Sequence, residues 1–453
     1  MMSSFVRVKR GVFVRHAGDE SIVCSPRTGG CSVMRYAKPI LDELTRKWRD
    51  VNEIVRAVAA KFTCSVKEVS EGVGPVVEEL ISQQFVEMTK ERVMPLAAIR
   101  GKDIRPLCDL SSNDDKNGTL LGDFYQRHGL PSELHLDLTD GCNEKCVHCY
   151  LPKRGANYLN KTIALKVLKE FREAQGLTIL VSGGECMLHK DFCEILRYAN
   201  SLNLNIVVMS NLTLCDEKMV EFLKEIDPQF INVSLYAVTD SIHDSITQVP
   251  GSCSKTKSAI DALKNAGVHI RIATPFMREN KNCVDELNQF AAVRHMHLIP
   301  DAEIFGQTDH TCVNQTHALS IDELKTLVSG HRDLFLKIPL NQSQCEFEAK
   351  VCDIGDARLN LDAKGLYYPC DGFHGAIIGD AHKESLWDVW TGGPLNKLRE
   401  LKNGDFGTCS SCINRAWCKV CPMRNFNETG DMFTHATWRC MATQIYRQIF
   451  EEK

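Results

Sequence analysis

The sequence predicts an α/β protein: a central parallel sheet, open or curled into a partial barrel, between a small winged-helix-like module and a cysteine-rich C-terminal region. Three observations predict it. Between Leu134 and Ile304 six short apolar runs alternate with amphipathic helical patterns. Before residue 91, short alternating stretches lead into three helical patterns, and after about Asn341 the alternation fades while cysteines concentrate. Alternation of strand and helix on this scale argues for parallel strands joined by crossover helices. Chemistry is then expected at the C-terminal ends of the strands.

In residues 1–90, alternating stretches at Phe5 to Val14, Ser21 to Cys24 and Cys31 to Tyr36 precede helices expected near Ala37 to Trp48, Val51 to Phe62 and Val66 to Phe85. Asp50 and Ser65 are suitable N-caps, and Val86 to Met88 supplies a last strand. Residues 91–131 carry Pro95, Pro106 and the polar run Ser111 to Gly118, the composition of a linker. In residues 132–335 strands are expected near Leu134 to Leu138, Leu177 to Val181, Ile206 to Met209, Phe230 to Leu235, His269 to Ala273 and Leu298 to Ile304. Helices at Thr162 to Ala174, Phe192 to Leu202, Glu217 to Ile226, Ser254 to Ala266 and Val284 to His295 separate them. Residues 336–453 read as a domain whose core is built around metal.

At 453 residues the chain is long enough for two or three domains. A formal net charge of -4 gives no global basic field for nucleic acid. There is no apolar run of membrane-spanning length, and Met1 to Arg10 lacks the apolar core of a secretory signal, so a cytoplasmic location and no membrane partner are expected. In a long chain without a signal, 21 cysteines favour metal or redox chemistry over disulfides.

Cys142, Cys146 and Cys149 form C-x3-C-x2-C directly after the first central strand. Thiolates so spaced can converge on one centre, and their softness suits iron-sulfur or zinc. At these residues the chain resembles the radical S-adenosylmethionine (SAM) superfamily, with His148 where the family commonly has another aromatic residue. Ser182, Gly183, Gly184 and Glu185 end the second strand and look like the family's GGE motif, with Cys186 in place of the usual proline. Ser210, Asn211 and Ser234 lie where the family often places ribose or carboxylate contacts. The resemblance implies a partial (β/α)6 barrel and a three-cysteine [4Fe-4S] cluster with SAM at its open iron. It implies cleavage of SAM to a 5′-deoxyadenosyl radical that abstracts a substrate hydrogen, fed by a donor such as flavodoxin or ferredoxin.

Downstream, Cys352, Gly365 and Cys370 form C-x12-G-x4-C, Cys409, Cys412, Cys418 and Cys421 form C-x2-C-x5-C-x2-C, and Cys440 follows. This resembles the SPASM extension of radical SAM proteins, with two residues where the last gap is commonly three. Structural zinc is the alternative for such pairs. The resemblance implies two auxiliary [4Fe-4S] clusters, the first on Cys352, Cys370 and Cys421 with Cys345 as candidate fourth ligand, the second on Cys409, Cys412, Cys418 and Cys440. Asp371 follows Cys370, where some SPASM enzymes place a general base; a turn aspartate before Gly372 is the alternative.

By order of elements, residues 1–90 resemble the PqqD-like domain that binds the leader of a precursor peptide as an added strand. The whole then resembles sactipeptide- and ranthipeptide-type maturases, which implies oxidation of a ribosomally made peptide, with a thioether crosslink the expected product. Carbon-carbon or carbon-oxygen crosslinking, epimerisation and sulfatase-maturase-like oxidation are the other enzymatic readings. An iron-sulfur regulator using the N-terminal module on DNA is the non-enzymatic one.

Overall fold

The computed structural model describes residues 4–89, 115–152, 155–335 and 339–452. The chain forms two compact units, residues 1–132 with 175–177, and residues 133–174 with 178–453.

In the first unit the expected stretch Phe5 to Val14 is broken by a turn at Gly11, whose φ of +76° suits a residue without a side chain, into β1 (Phe5–Val8) and β2 (Phe13–Ala17). β2, β3 (Glu20–Ser25) and β4 (Gly30–Arg35) form an antiparallel sheet. The helix expected over 37–48 is a single turn, α1 (Lys38–Leu41). Beyond it Arg49–Asp50 become β5, which pairs with β1 and so requires extended backbone. The caps act as expected. Asp50 accepts the Asn52 N–H ahead of α2 (Val51–Phe62), and Ser65 with Glu68 makes a capping box for α3 (Val66–Ser82). β6 (Val86–Thr89) closes the second sheet, in the order β5-β1-β6.

The linker expectation needs correction at its C-terminal end. Residues 90–114, including Cys108, lie outside the described residues, but Asp115–His128 form α4. Phe124 and Tyr125, one helical turn beyond Leu120 and Leu121, are buried in an apolar cluster with Phe13, Ile22, Cys24 and Cys31. That stripe outweighs the polar run before it.

In the second unit six parallel strands stand in sequence order: β7 (Glu133–Asp137), β8 (Thr178–Ser182), β9 (Asn205–Ser210), β10 (Phe230–Ser234), β11 (Ile270–Pro275) and β12 (His297–Asp301). Crossover helices α5 (Lys161–Glu173), α6 (Phe192–Ser201), α7 (Glu217–Ile226), α8 (Asp240–Thr247), α9 (Ser252–Asn265) and α10 (Val284–Val293) connect them. α8 was not expected. Strand alternation separates the faces: Leu134, Leu136 and Leu138 are fully buried in the main core, whereas His135 and Asp137 point the other way. The sheet does not end with the six strands. β13 (Arg358–Leu361) pairs parallel with β7, and β14 (Leu366–Tyr368) and β15 (Gly379–Asp380) extend it antiparallel. Among the described residues no helix is long and apolar enough to cross a membrane.

Candidate metal and cofactor centre

The cysteine triplet occupies the loop leaving β7. It is clamped from outside: Lys145 and Val147 donate their backbone N–H groups to the carbonyls of Thr247 and Ile246 at the end of α8, at 2.8 and 2.9 Å. Asn314 donates to the carbonyls of His148 and Phe305 at 2.6 and 2.7 Å. Cys142, Cys146 and Cys149 are half-buried and line one cavity of about 440 Å³ with Asn143, Leu151 and Gln307. Burial pushes the Cys146 thiol well above its usual range, and the charges of Glu144, Cys149 and Cys142 push it further. Desolvated thiols so close together ionise only when a cation compensates, which is what iron ligation provides. Among the described residues no three His, Cys, Asp or Glu side chains meet as ligands of a single ion. Three soft thiolates lining one cavity have the donor chemistry of an iron-sulfur cluster site.

Gly183 and Gly184 end β8 against this loop. Gly184 N–H donates to Thr139 O at 2.7 Å and Glu185 N–H to Gly141 O at 2.9 Å. Gly183 has a φ of +129°, and a Cβ there would stand 2.2 Å from Thr139 O; one on Gly184 would stand 2.1 Å from Gly141 O. Only glycines allow the two strand-end loops to touch.

The other expected cofactor residues converge on the same end of the parallel strands. Glu185 is buried, and its carboxylate accepts from Ser210 Oγ and Asn211 N–H, both at 2.8 Å, and from Met187 N–H at 3.1 Å. Burial nevertheless holds its pKa above the ordinary carboxylate value. Asn211 donates to Asn143 beside Cys142 at 3.0 Å, so the triplet loop and the β9 end are tied directly. Ser234 hydrogen-bonds Tyr236, whose hydroxyl lies 3.8 Å from Cys146 Sγ. His148 packs edge-on against Tyr236 with ring centroids 5.0 Å apart, and burial pushes its pKa down to about 4, so it is neutral. Asn143 and Tyr236 escaped the sequence reading, although Asn143 adjoins a motif cysteine.

Asp371 is half-exposed, with Oδ2 3.9 Å from His135 Nδ1; the other His135 nitrogen is 3.3 Å from Asp137. Burial disfavours the His135 cation, but the charge of Asp137 beside it, aided by that of Asp371, outweighs this and raises its pKa to about 9. Asp137 in turn accepts from Asn360 of β13 at 3.1 Å. With Tyr150, Tyr368, His374 and Gly183, Asp137 lines a second cavity of about 190 Å³. Nothing in sequence spacing marks His135 or Asp137, which look like ordinary strand polar residues.

The C-terminal thiols fall into two groups. Burial pushes the Cys370 thiol up, and the charges of Asp371, Cys421 and Cys352 add to it. The Cys440 thiol is raised to about 11 by burial and by Cys418, Cys409 and Cys412. Cys412 and Cys440 are exposed. Cys345 ends a short helix, Gln342–Cys345, whose flanking carbonyls at Gln344 and Glu346 accept from Asn403 at 3.0 and 2.7 Å. Asn403 also binds Arg415, which lies between Cys412 and Cys418.

Comparison with known proteins places this geometry. Residues 136–291 match the family described as the radical SAM superfamily, and residues 352–413 match the SPASM iron-sulfur cluster-binding domain. The chain is 30% identical to the antilisterial bacteriocin subtilosin biosynthesis protein AlbA of Bacillus subtilis, over 70% of this chain and 75% of that protein. It is 24% identical to the AdoMet-dependent heme synthase of Methanosarcina barkeri, over 66% of this chain and 94% of that protein. Among solved structures, Streptococcus suis SuiB bound to precursor peptide SuiA superposes with a TM-score of 0.64 at 15% identity, over 97% of this chain and all of that one (100%), a likeness of fold. A cysteine triplet at the C-terminal end of a run of six parallel strands, a glycine pair locked against it and two C-terminal thiol groups thus accord with the sequence matches: the chain belongs to the radical SAM superfamily and carries a SPASM iron-sulfur cluster-binding domain.

Proposed function

We propose that this radical SAM enzyme matures a ribosomally made precursor peptide by forming a thioether crosslink. The observation that carries the reading is the cavity of about 190 Å³. Thr139 and Gly183 bound it on the side of the triplet, and Asp362, Tyr368 and His374 bound it on the side of the hairpin leading to Cys370 and Asp371. When bound, SAM on the triplet's cluster supplies a hydrogen-abstracting radical, and clusters on the C-terminal cysteines supply an electron acceptor. A substrate side chain in this cavity thus has both chemistries within reach.

The residues around it have separable tasks. Glu185, Ser210, Asn211 and Ser234 hold and orient SAM, through a network that also fixes the triplet loop. Asp371 takes the proton released as sulfur joins carbon, with the His135 ring 3.9 Å from its carboxylate. Cys142, Cys146 and Cys149 hold one four-iron cluster. Cys345, Cys352, Cys370 and Cys421 hold a second, and Cys409, Cys412, Cys418 and Cys440 a third. The names of the relatives, a bacteriocin biosynthesis protein and SuiB with its bound precursor peptide, support a peptide substrate. Residues 1–90 act as the PqqD-like leader-binding domain, and a flavodoxin or ferredoxin supplies electrons.

Mass spectrometry of the precursor before and after turnover, with thiol alkylation, tests the reaction. The expected product is lighter by two hydrogens and has lost one alkylatable thiol. Loss of two hydrogens with every thiol free would replace the thioether with a carbon-carbon or carbon-oxygen bond, and unchanged mass would point to epimerisation. Deleting residues 1–90 is expected to weaken precursor binding by about tenfold or more, ~1.4 kcal/mol, in a fluorescence titration. Equal affinity with and without them would remove the leader-binding role. Salt-sensitive binding of duplex DNA without SAM turnover would favour the regulator reading instead.

A further inference from the structure

Glu303, just beyond β12, is a carboxylate inside the protein, its side chain only 4% exposed. It receives two guanidinium groups. Arg439 Nη1 lies 2.6 Å from Glu303 Oε2, and Arg424 Nη1 meets the same oxygen. Both arginine side chains are 16% exposed. Arg424 stacks 4.3 Å over the Phe305 ring, and Asp301 and Glu428 also face it. The position in the chain is what matters. Arg439 immediately precedes Cys440, while Arg424 lies three residues after Cys421 on the helix Pro422–Thr429. With its second nitrogen Arg439 donates to the carbonyl of Lys419 at 3.0 Å, inside the short segment joining Cys418 to Cys421. One side chain therefore touches the seam between the two C-terminal thiol groups, and a buried carboxylate beyond β12 holds it there.

We propose that Arg439, held by Glu303 and backed by Arg424, is a charge bridge between the two auxiliary cluster sites that sets how readily each accepts an electron. The inference rests on the reading of these cysteines as cluster ligands. Accepting one electron adds one negative charge to a cluster. A guanidinium keeps its charge at any working pH, and in a site largely closed to water its field is little screened. Net charge, hydrogen bonding and exposure are the levers that set iron-sulfur potentials. The charge of Arg439 acts on a thiol of each group, Cys421 in one and Cys440 in the other, which agrees with its placement. A purely structural tie between Glu303 and the seam would have no reason to lower both potentials when the cation is removed and to raise both when the anion is.

The test uses the full-length chain carrying Cys142, Cys146 and Cys149→Ala, so that only auxiliary clusters are titrated, with redox midpoints read by EPR and iron measured on each sample. Arg439→Gln should lower both midpoints by about a tenfold change in the reduction equilibrium, ~59 mV for one electron. Glu303→Gln should raise them, and Arg439→Lys, which keeps the charge, should stay near the starting protein. Unchanged midpoints in Arg439→Gln at full iron content would overturn the charge bridge while leaving the cluster assignment standing. If Arg439→Gln loses iron, Glu303→Gln decides alone: raised midpoints support the bridge, and unchanged or lowered ones overturn it. A starting protein that binds no auxiliary iron overturns the ligand assignment and the bridge with it.

Discussion

Replacing Cys142, Cys146 and Cys149 together by alanine is expected to abolish SAM cleavage and to lower bound iron from about twelve to about eight per chain, counting four irons in each of three clusters. The loss should be complete because these thiols share one cavity, and among the described residues they are its only cysteines. The fold should survive, since the loop is also held by Asn314 and by the carbonyls of Ile246 and Thr247. HPLC of 5′-deoxyadenosine together with iron analysis checks both numbers. SAM cleavage retained by the triple variant would sink the assignment of the SAM site. Iron near four per chain in the unaltered protein would instead remove the auxiliary clusters.

Gly184→Ala should damage activity far more than stability. A Cβ at 2.1 Å from Gly141 O and 2.5 Å from Gly141 C meets backbone, which cannot rotate away. The β8 end and the triplet loop must then separate by roughly 1 Å, a misplacement that typically lowers rate by about 100-fold. Overpacking of this kind costs ~1–3 kcal/mol. The unit's main core extends far beyond this contact, so the melting temperature should fall by only a few degrees. The checks are the rate of SAM cleavage and a thermal melt on the same preparation. Full activity in Gly184→Ala would mean that the contact between the two loops does not position the SAM site.

Glu185 illustrates how far sequence reading reaches. Its place after the glycine pair marks it as a cofactor residue, but its bonds to Ser210 and Asn211 across the strand ends follow from the pairing of β8 with β9. The short helix α8 escaped the sequence reading because its eight residues, Asp240–Thr247, carry too little periodicity to separate from the flanking turns. Yet it is the element that clamps the cysteine loop. Likewise α4 was hidden by the polar composition before it, since its stripe at Phe124 and Tyr125 is legible only once β2, β3 and β4 supply the surface it covers.

Local chemistry was legible wherever one short segment carries it. The six strands and the crossover helices other than α8 show through the period of apolar residues, and the cysteine triplet and the glycine pair show through spacing, because each is a property of a few consecutive positions. The pairing of β13 with β7, the His135 link between Asp137 and Asp371, and the convergence of Arg424 and Arg439 on Glu303 join residues more than a hundred positions apart. Such contacts exist only after the chain has folded, and the burial that gives these charges their strength has no counterpart in an extended chain.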